Sequence, residues 1–268
     1  MDTVVVGFDG TAPSVNALEW AAHRVAKHVA QLRIVTVGVA DDDPLLDVGA
    51  GGVQQAHVIA PSAEIVASRV IGKMPQALLA AAAGATLLVI GAHRQRPVRA
   101  ALAGWPPLRL ASRSQGPVVV VPEDWSDSAG PVLVGIDDDD SSASAVRFAA
   151  AEAERLGLRL LLLHAWQMPS PTTDGAFAYL ASPLEQKAVH RRILDDLRSE
   201  VRAQHPELNV EGALVQGAPS SALLSEARRC SLMVIGTHRR SLLEGALLGS
   251  VAQDTLMGSR IPVCVVPS

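Results

Sequence analysis

The sequence predicts an α/β fold built from two similar halves, each a parallel sheet with helices on both faces, and three observations carry that expectation. Runs of β-branched residues and leucine are continuous instead of alternating, as in Val4-Val5-Val6, Leu87-Leu88-Val89-Ile90 and Val118-Val119-Val120-Val121. A strand apolar at every position is covered on both faces. Alanine-rich amphipathic stretches alternate with these runs, the order expected of a parallel sheet with helical crossovers. Finally, the pattern occurs twice. Val4-Val-Val-Gly-Phe-Asp9 returns as Val132-Leu-Val-Gly-Ile-Asp137 at an offset of 128 residues, and Leu87-Leu-Val-Ile-Gly91 returns as Leu232-Met-Val-Ile-Gly236 at 145.

In the first half, strands fall on the Val4 run, on Leu32-Arg-Ile-Val35, on the Leu87 run and on Val118-Val-Val-Val-Pro122. Pairing Leu32-Arg33 with Leu158-Arg159 gives an offset of 126. Against the later offset of 145, the first half is then 19 residues short between its second strand and the strand before Gly91, as if a helix-sized piece were missing and its second helix region shortened. In the second half, strands are expected near 131–136, 158–164, 208–214, 231–236 and 262–266. Helices are expected near 142–156, 183–204, 219–229 and 249–258. Between the halves, Pro122-Glu-Asp-Trp-Ser-Asp-Ser-Ala-Gly-Pro131 is polar, turn-rich and without period, which marks a linker. The division is therefore 1–123, a linker over 124–130, and 131–268. Val118-Val-Val-Val-Pro122 and Val263-Cys-Val-Val-Pro267 close the two halves. Closing strands lie at sheet edges, and edges this apolar need a partner.

Composition narrows the function. At 268 residues, 49% hydrophobic, 19% charged and a net charge of −4, the chain reads as a globular protein without the basic footprint of a nucleic-acid binder. His93-Arg-Gln-Arg-Pro-Val-Arg99 is basic but has no interleaved aromatics, so nucleic acid is not an expected partner. No apolar stretch approaches the ~20 residues that span a bilayer. Cys230 and Cys264, the two cysteines, lie in apolar stretches without C-x-x-C spacing and read as buried thiols. A cytoplasmic location is the expectation. No histidine pair has zinc spacing; His23 and His28, five apart, would not share a metal face. No serine stands in a G-x-S-x-G setting.

The chemistry concentrates at two strand ends of the second half. Open parallel sheets bind ligands beyond the carboxyl ends of their strands, where strand order reverses. If the strands ending at Asp137 and Gly236 are neighbours, they frame one crevice. A helix starting at Gly249-Ser250-Val251 would aim free N–H groups and its positive dipole end there, with the Ser250 hydroxyl as a further donor. That is a phosphate cradle without a Walker lysine. The matching place in the first half reads Gly104-Trp105-Pro106-Pro107, where a bulky ring replaces the hydroxyl and two prolines lack N–H groups, so this half is expected to bind no nucleotide. Asp137-Asp-Asp-Asp140-Ser141 reads as a turn capping the next helix. The functional alternative is that Asp138 holds Mg²⁺ beside bound phosphate.

Asp137 closing the first strand, His164-Ala165 closing the second, the Gly236–Gly249–Ser250 loop and the terminal Pro262-Val-Cys-Val-Val-Pro267 together resemble the universal stress proteins in their tandem two-domain form. The resemblance implies five-stranded parallel sheets of order 3-2-1-4-5 and an internal pseudo-dimer joined through the last strands. It leaves open whether two chains associate further. It also implies an adenine nucleotide site, with Asp137 and Ala165 on ribose and adenine and with Gly236, Gly249 and Ser250 on the phosphates, beside the Val251 N–H that the helix start would offer. The chain departs from the family loop in having Arg239, and Arg94 in the first half, where the second glycine stands. Arginine there either fills the pocket or replaces backbone contacts with charge-assisted hydrogen bonds to phosphate. The expected function is binding of ATP or a related adenine nucleotide, with or without Mg²⁺, by a stress-response regulator acting on a partner protein without strong catalysis. The alternative is a scaffold that regulates a partner and binds no nucleotide.

Overall fold

The computed structural model describes residues 2–93, 105–137, 142–168, 182–237 and 248–267. The first half runs β1 (Asp2–Gly7), α1 (Ala12–Ala26), β2 (Ala30–Gly38), a 3₁₀ turn at Pro44–Asp47, α2 (Gly49–Ile59), β3 (Glu64–Ile71), α3 (Gln76–Ala81), β4 (Leu87–Ala92), α4 (Pro106–Arg113) and β5 (Val118–Pro122). The second runs β6 (Val132–Ile136), α5 (Ala143–Leu156), β7 (Leu160–Trp166), α6 (Pro183–Gln204), β8 (Val210–Gln216), α7 (Pro219–Ala227), β9 (Leu232–Thr237), α8 (Ser250–Gly258) and β10 (Val263–Pro267).

All ten strands form one sheet of order β3-β2-β1-β4-β5-β10-β9-β6-β7-β8. Each half thus has the order 3-2-1-4-5 with parallel neighbours. The halves meet where β5 and β10 pair antiparallel, with Cys264 opposite Val119. The two apolar edges cover each other, as expected of them.

The continuous apolar runs follow from this placement. Val4, Val5 and Val6 are all fully buried, and successive residues serve opposite faces. Val4 and Val6 join one core layer with residues of α1, α2, α5 and α6, whereas Val5 joins the other with residues of α3, α4, α7 and α8. Both layers include side chains from each half. Helix ends are set locally: Gly157 closes α5 in the left-handed conformation (φ 66°), and Ser182 opens α6 through a reciprocal capping box with Glu185.

One alignment needs correction. Val4 sits opposite Leu32 and Val132 opposite Leu160, so the equivalent of Leu32 is Leu160, at offset 128 and not 126. Ala67 on β3 and Gly212 on β8 are already 145 apart, each opposite equivalent residues Ile34 and Leu162. The first half is therefore 17 residues shorter, not 19, and the whole difference lies between β2 and β3. The helix there is retained at 11 residues, against 22 in α6. The same slip put β7 and β8 two residues early. A shift of two preserves which face each side chain occupies, so an apolar run offers no signal against it.

Candidate functional site

Strands β6 and β9 are neighbours, which meets the condition set by the sequence for a shared crevice. Asp137 follows β6 directly, Ala165 is the penultimate residue of β7, and Gly236 the penultimate residue of β9. Three adjacent strands thus bring these residues to the carboxyl end of the sheet. Helix α8 connects β9 to β10, which run parallel, so it runs back along the sheet and starts at that same end. Ala165 and Val251 pack on the layer that contains α7 and α8. Asp138, Arg239, Arg94, His238 and Gly104 lie outside the described residues.

The start of α8 has the features a phosphate cradle needs. Gly249 is the N-cap, with φ −58° and ψ 159°, and among the described residues no side chain caps the helix. A Cβ added at Gly249 would meet nothing within 4 Å, so neither its backbone angles nor packing among the described residues demands glycine there. Gly249 and Ser250 are exposed. The first backbone bond of the helix, Gln253 N–H to Gly249 O at 3.0 Å, leaves the earlier amides of Ser250, Val251 and Ala252 as the donors a helix N-terminus presents. In α4, Pro106 and Pro107 occupy the first two positions behind Trp105, so the first two of those donors do not exist.

The first half shows how the strand-to-helix turn is built. Asp9 accepts hydrogen bonds on Oδ1 from Thr11 N–H (3.0 Å) and Thr11 Oγ1–H (2.6 Å), with Gly10 at φ 78° making the turn. Burial pushes the Asp9 carboxyl up, but the Thr11 and Ser14 hydrogen bonds together outweigh it and hold it below the usual value. Asp9 N–H donates to Ser14 Oγ (3.3 Å), and Asp137 N–H donates to Ser142 Oγ (2.8 Å). These two serines are 128 apart, like the aspartates, so the repeat offset alone was enough to find a contact that motif reading missed. Gly91 has a packing reason to be glycine: an added Cβ would collide with the Pro13 carbonyl and lie 2.7 Å from Ser14 N. Gly236 occupies the equivalent strand position. His93 pairs with Glu123 at the surface (Nδ1 to Oε2, 2.8 Å).

A second feature escaped the sequence reading. His164 is buried, with Nδ1 3.2 Å from Ile136 O and Nε2 2.8 Å from His190 Nδ1. The carbonyl requires a proton on His164 Nδ1, so in the neutral pair His190 Nδ1–H donates to His164 Nε2. Trp166 stacks on His190 with centroids 5.2 Å apart. Trp166 and His190 line an open cleft of about 460 Å³ with Ala165, Gln186, Val189 and Pro219. The signal available was the spacing of Gln186 and His190, one turn apart on α6. His23 and His28 are exposed, and both cysteines are buried, as expected. No group of three metal-binding side chains gathers among the described residues, and no helix there is long and apolar enough to cross a membrane.

Comparison with known proteins agrees with this architecture. The model of the universal stress protein family matches twice, over residues 1–122 and 129–267. A universal stress protein of Mycobacterium tuberculosis (strain ATCC 25618 / H37Rv) is 27% identical over 98% of this chain and 94% of its own. One of Mycolicibacterium smegmatis is 28% identical over 98% and 96%. The crystal structure of a universal stress protein from Archaeoglobus fulgidus DSM 4304 superposes with a TM-score of 0.72 over 99% of this chain and 98% of that one, at 15% identity. With two matched copies covering nearly its whole length, the chain belongs to the universal stress protein family, in its tandem two-domain form.

Proposed function

We propose that the second half binds ATP or a related adenine nucleotide, and that the protein is a stress-response regulator without strong catalysis. The observation that carries this reading is the start of α8. It is an exposed helix N-terminus that no side chain caps among the described residues, behind a glycine that those residues do not require, at the carboxyl end of adjacent strands β6 and β9. Such a terminus supplies oriented N–H donors and a positive dipole end to an anion. Ser250, Val251 and Gly249 take the phosphates, while Asp137 and Ala165 take the ribose and base. The first half lacks the first two of those donors at its own α4, so binding is confined to one site per chain. Asp138, assigned to Mg²⁺ from the sequence, lies outside the described residues, and the proposal is limited to the nucleotide.

Binding regulates by shifting the balance of two conformations, which a ligand does only through different affinities for each. The test is calorimetry with Mg·ATP on protein stripped of carried-over nucleotide, beside Ser250→Ala and Asp137→Ala. One site per chain, weakened by both substitutions, supports the reading. Absence of heat up to millimolar ATP from folded protein overturns it in favour of a scaffold without nucleotide. Unchanged proteolysis with and without ATP would remove the regulatory part alone.

A further inference from the structure

The strands that join the two halves are almost the same sequence, Val-Val-Val-Val-Pro in β5 and Val-Cys-Val-Val-Pro in β10. Val119 and Cys264 are equivalent positions at the repeat offset of 145, and they sit opposite each other. The pairing therefore has an approximate twofold axis through that residue pair. An edge of this kind is self-complementary: β5 would accept a second β5, and β10 a second β10, by the same hydrogen bonds. The strand hydrogen bonds alone do not distinguish unlike halves from like ones; within one chain the short linker between β5 and β6 adds only proximity.

Above this junction lies a pair that can choose. Arg24 of α1 and Glu152 of α5 form a two-pronged ion pair, Nε to Oε1 at 2.7 Å and Nη2 to Oε2 at 3.0 Å, with side-chain exposures of 2% and 0%. Their numbers differ by 128, the offset that relates β1 to β6 and Asp9 to Asp137. Arg24 and Glu152 are thus the same position in the two halves, and at the twofold axis that position faces its own equivalent. Arg155 adds a second guanidinium to Glu152 (2.6 Å) and bonds Asp2 of the first half (3.0 Å), so two acids and two bases balance across the junction.

We infer that Arg24 and Glu152 select the partner at this interface, so that each half accepts the other half and rejects a copy of itself. Pairing two first halves would set Arg24 against Arg24, and two second halves Glu152 against Glu152, each a like-charge contact in a site closed to water. Specificity from such repulsion needs no gain in affinity for the correct partner. The selection is independent of nucleotide binding.

The experiment uses the full chain, unfolded in urea and refolded over a range of concentrations, with mass read by light scattering after size exclusion. The exchanged variant R24E/E152R, carried with R155A so that the arginine introduced on α5 does not meet Arg155, keeps opposite charges and refolds with the wild-type mass distribution; aggregation of this variant overturns the proposal. R24M/E152L, apolar at both positions, retains wild-type circular dichroism but shifts to assemblies of two or more chains, whose share rises with concentration. Wild-type mass distribution for folded R24M/E152L overturns the proposal. If that variant does not fold, R24E and E152R decide. R24E carries glutamate in both halves and E152R arginine in both, so each misfolds or self-associates poorly alone. Refolded together they give a one-to-one complex of twice the 28.0 kDa chain mass. Failure of the mixture to form that complex overturns the proposal.

Discussion

Val251→Pro tests the proposed cradle with little disturbance of the fold. Val251 is the second residue of α8, where the N–H has no partner within the helix, so proline removes a donor offered to the ligand and no backbone bond of the helix. The protein itself shows that such a position accepts proline, since α4 begins with Pro106 and Pro107 and its Leu108 and Leu110 are buried in the core. A hydrogen bond from an amide to a charged phosphate contributes about 1.5–3 kcal/mol. At about 1.4 kcal/mol per tenfold, Val251→Pro raises the Kd for Mg·ATP roughly 10- to 150-fold. The assay is titration calorimetry, with thermal unfolding without nucleotide as the control, where Tm stays near wild type. An unchanged Kd with unchanged Tm would refute the argument that backbone donors of α8 hold the phosphates, even if nucleotide binds elsewhere.

Gly91→Ala forces the first turn of α1 away from β4, because the obstruction is the backbone of Pro13 and Ser14 and not a movable side chain; we expect a loss of about 3 kcal/mol in urea unfolding. Of the two Thr11 hydrogen bonds that depress the Asp9 carboxyl, Thr11→Val removes the one from the hydroxyl and leaves the backbone one, so the carboxyl pKa by carbon-detected NMR rises. Because the folded value lies below the unfolded one, the stability these bonds supply is present above the unfolded pKa and fades as pH falls through the folded value. The wild-type advantage over Thr11→Val should therefore be larger at neutral pH than in acid. Burial pushes the Cys230 thiol up to about 11 and the Cys264 thiol well above its ordinary value. Neither should react with iodoacetamide at neutral pH in the native protein, by intact mass, whereas both react in urea.

Much of the second half was legible because β6, β7, β9 and β10 are buried on both faces and α5 and α6 run for 14 and 22 residues. The boundaries that slipped, at β7 and β8, did so by two residues, a displacement to which a period of two is blind. β3 was harder to read, since it lies at the sheet edge with most side chains only partly covered and includes Arg69 and Glu64. Asp137 and Gly236 were singled out by the chemistry their residue types suggest, and the pairing of β6 with β9 puts both at the carboxyl ends of neighbouring strands. Trp166 and His190 were not found, because their contact joins a strand to a helix across a segment of no regular pattern. Arg24 and Glu152 read as ordinary charges on two amphipathic helices. Only the antiparallel meeting of β5 and β10 makes them face each other.

The repeat thus distinguishes two kinds of divergence between the halves. Asp9 and Asp137, or Ser14 and Ser142, each serve their own half, so the same residue satisfies both copies of the turn. A position on the twofold axis meets its own equivalent, and there identical charges would repel, so difference is what stability requires. Trp105 shows a third situation. It stands in the loop where the second half has Ser250, and it lines a junction cavity with His93 and Pro122 of its own half and Leu256, Met257 and Ile261 of the other. The ring that removes a phosphate donor from the first half is thereby placed against the second half. The absence of a hydroxyl at the start of α4 and the covering of the junction are thus two consequences of the same residue, and the bulk of the ring serves the second.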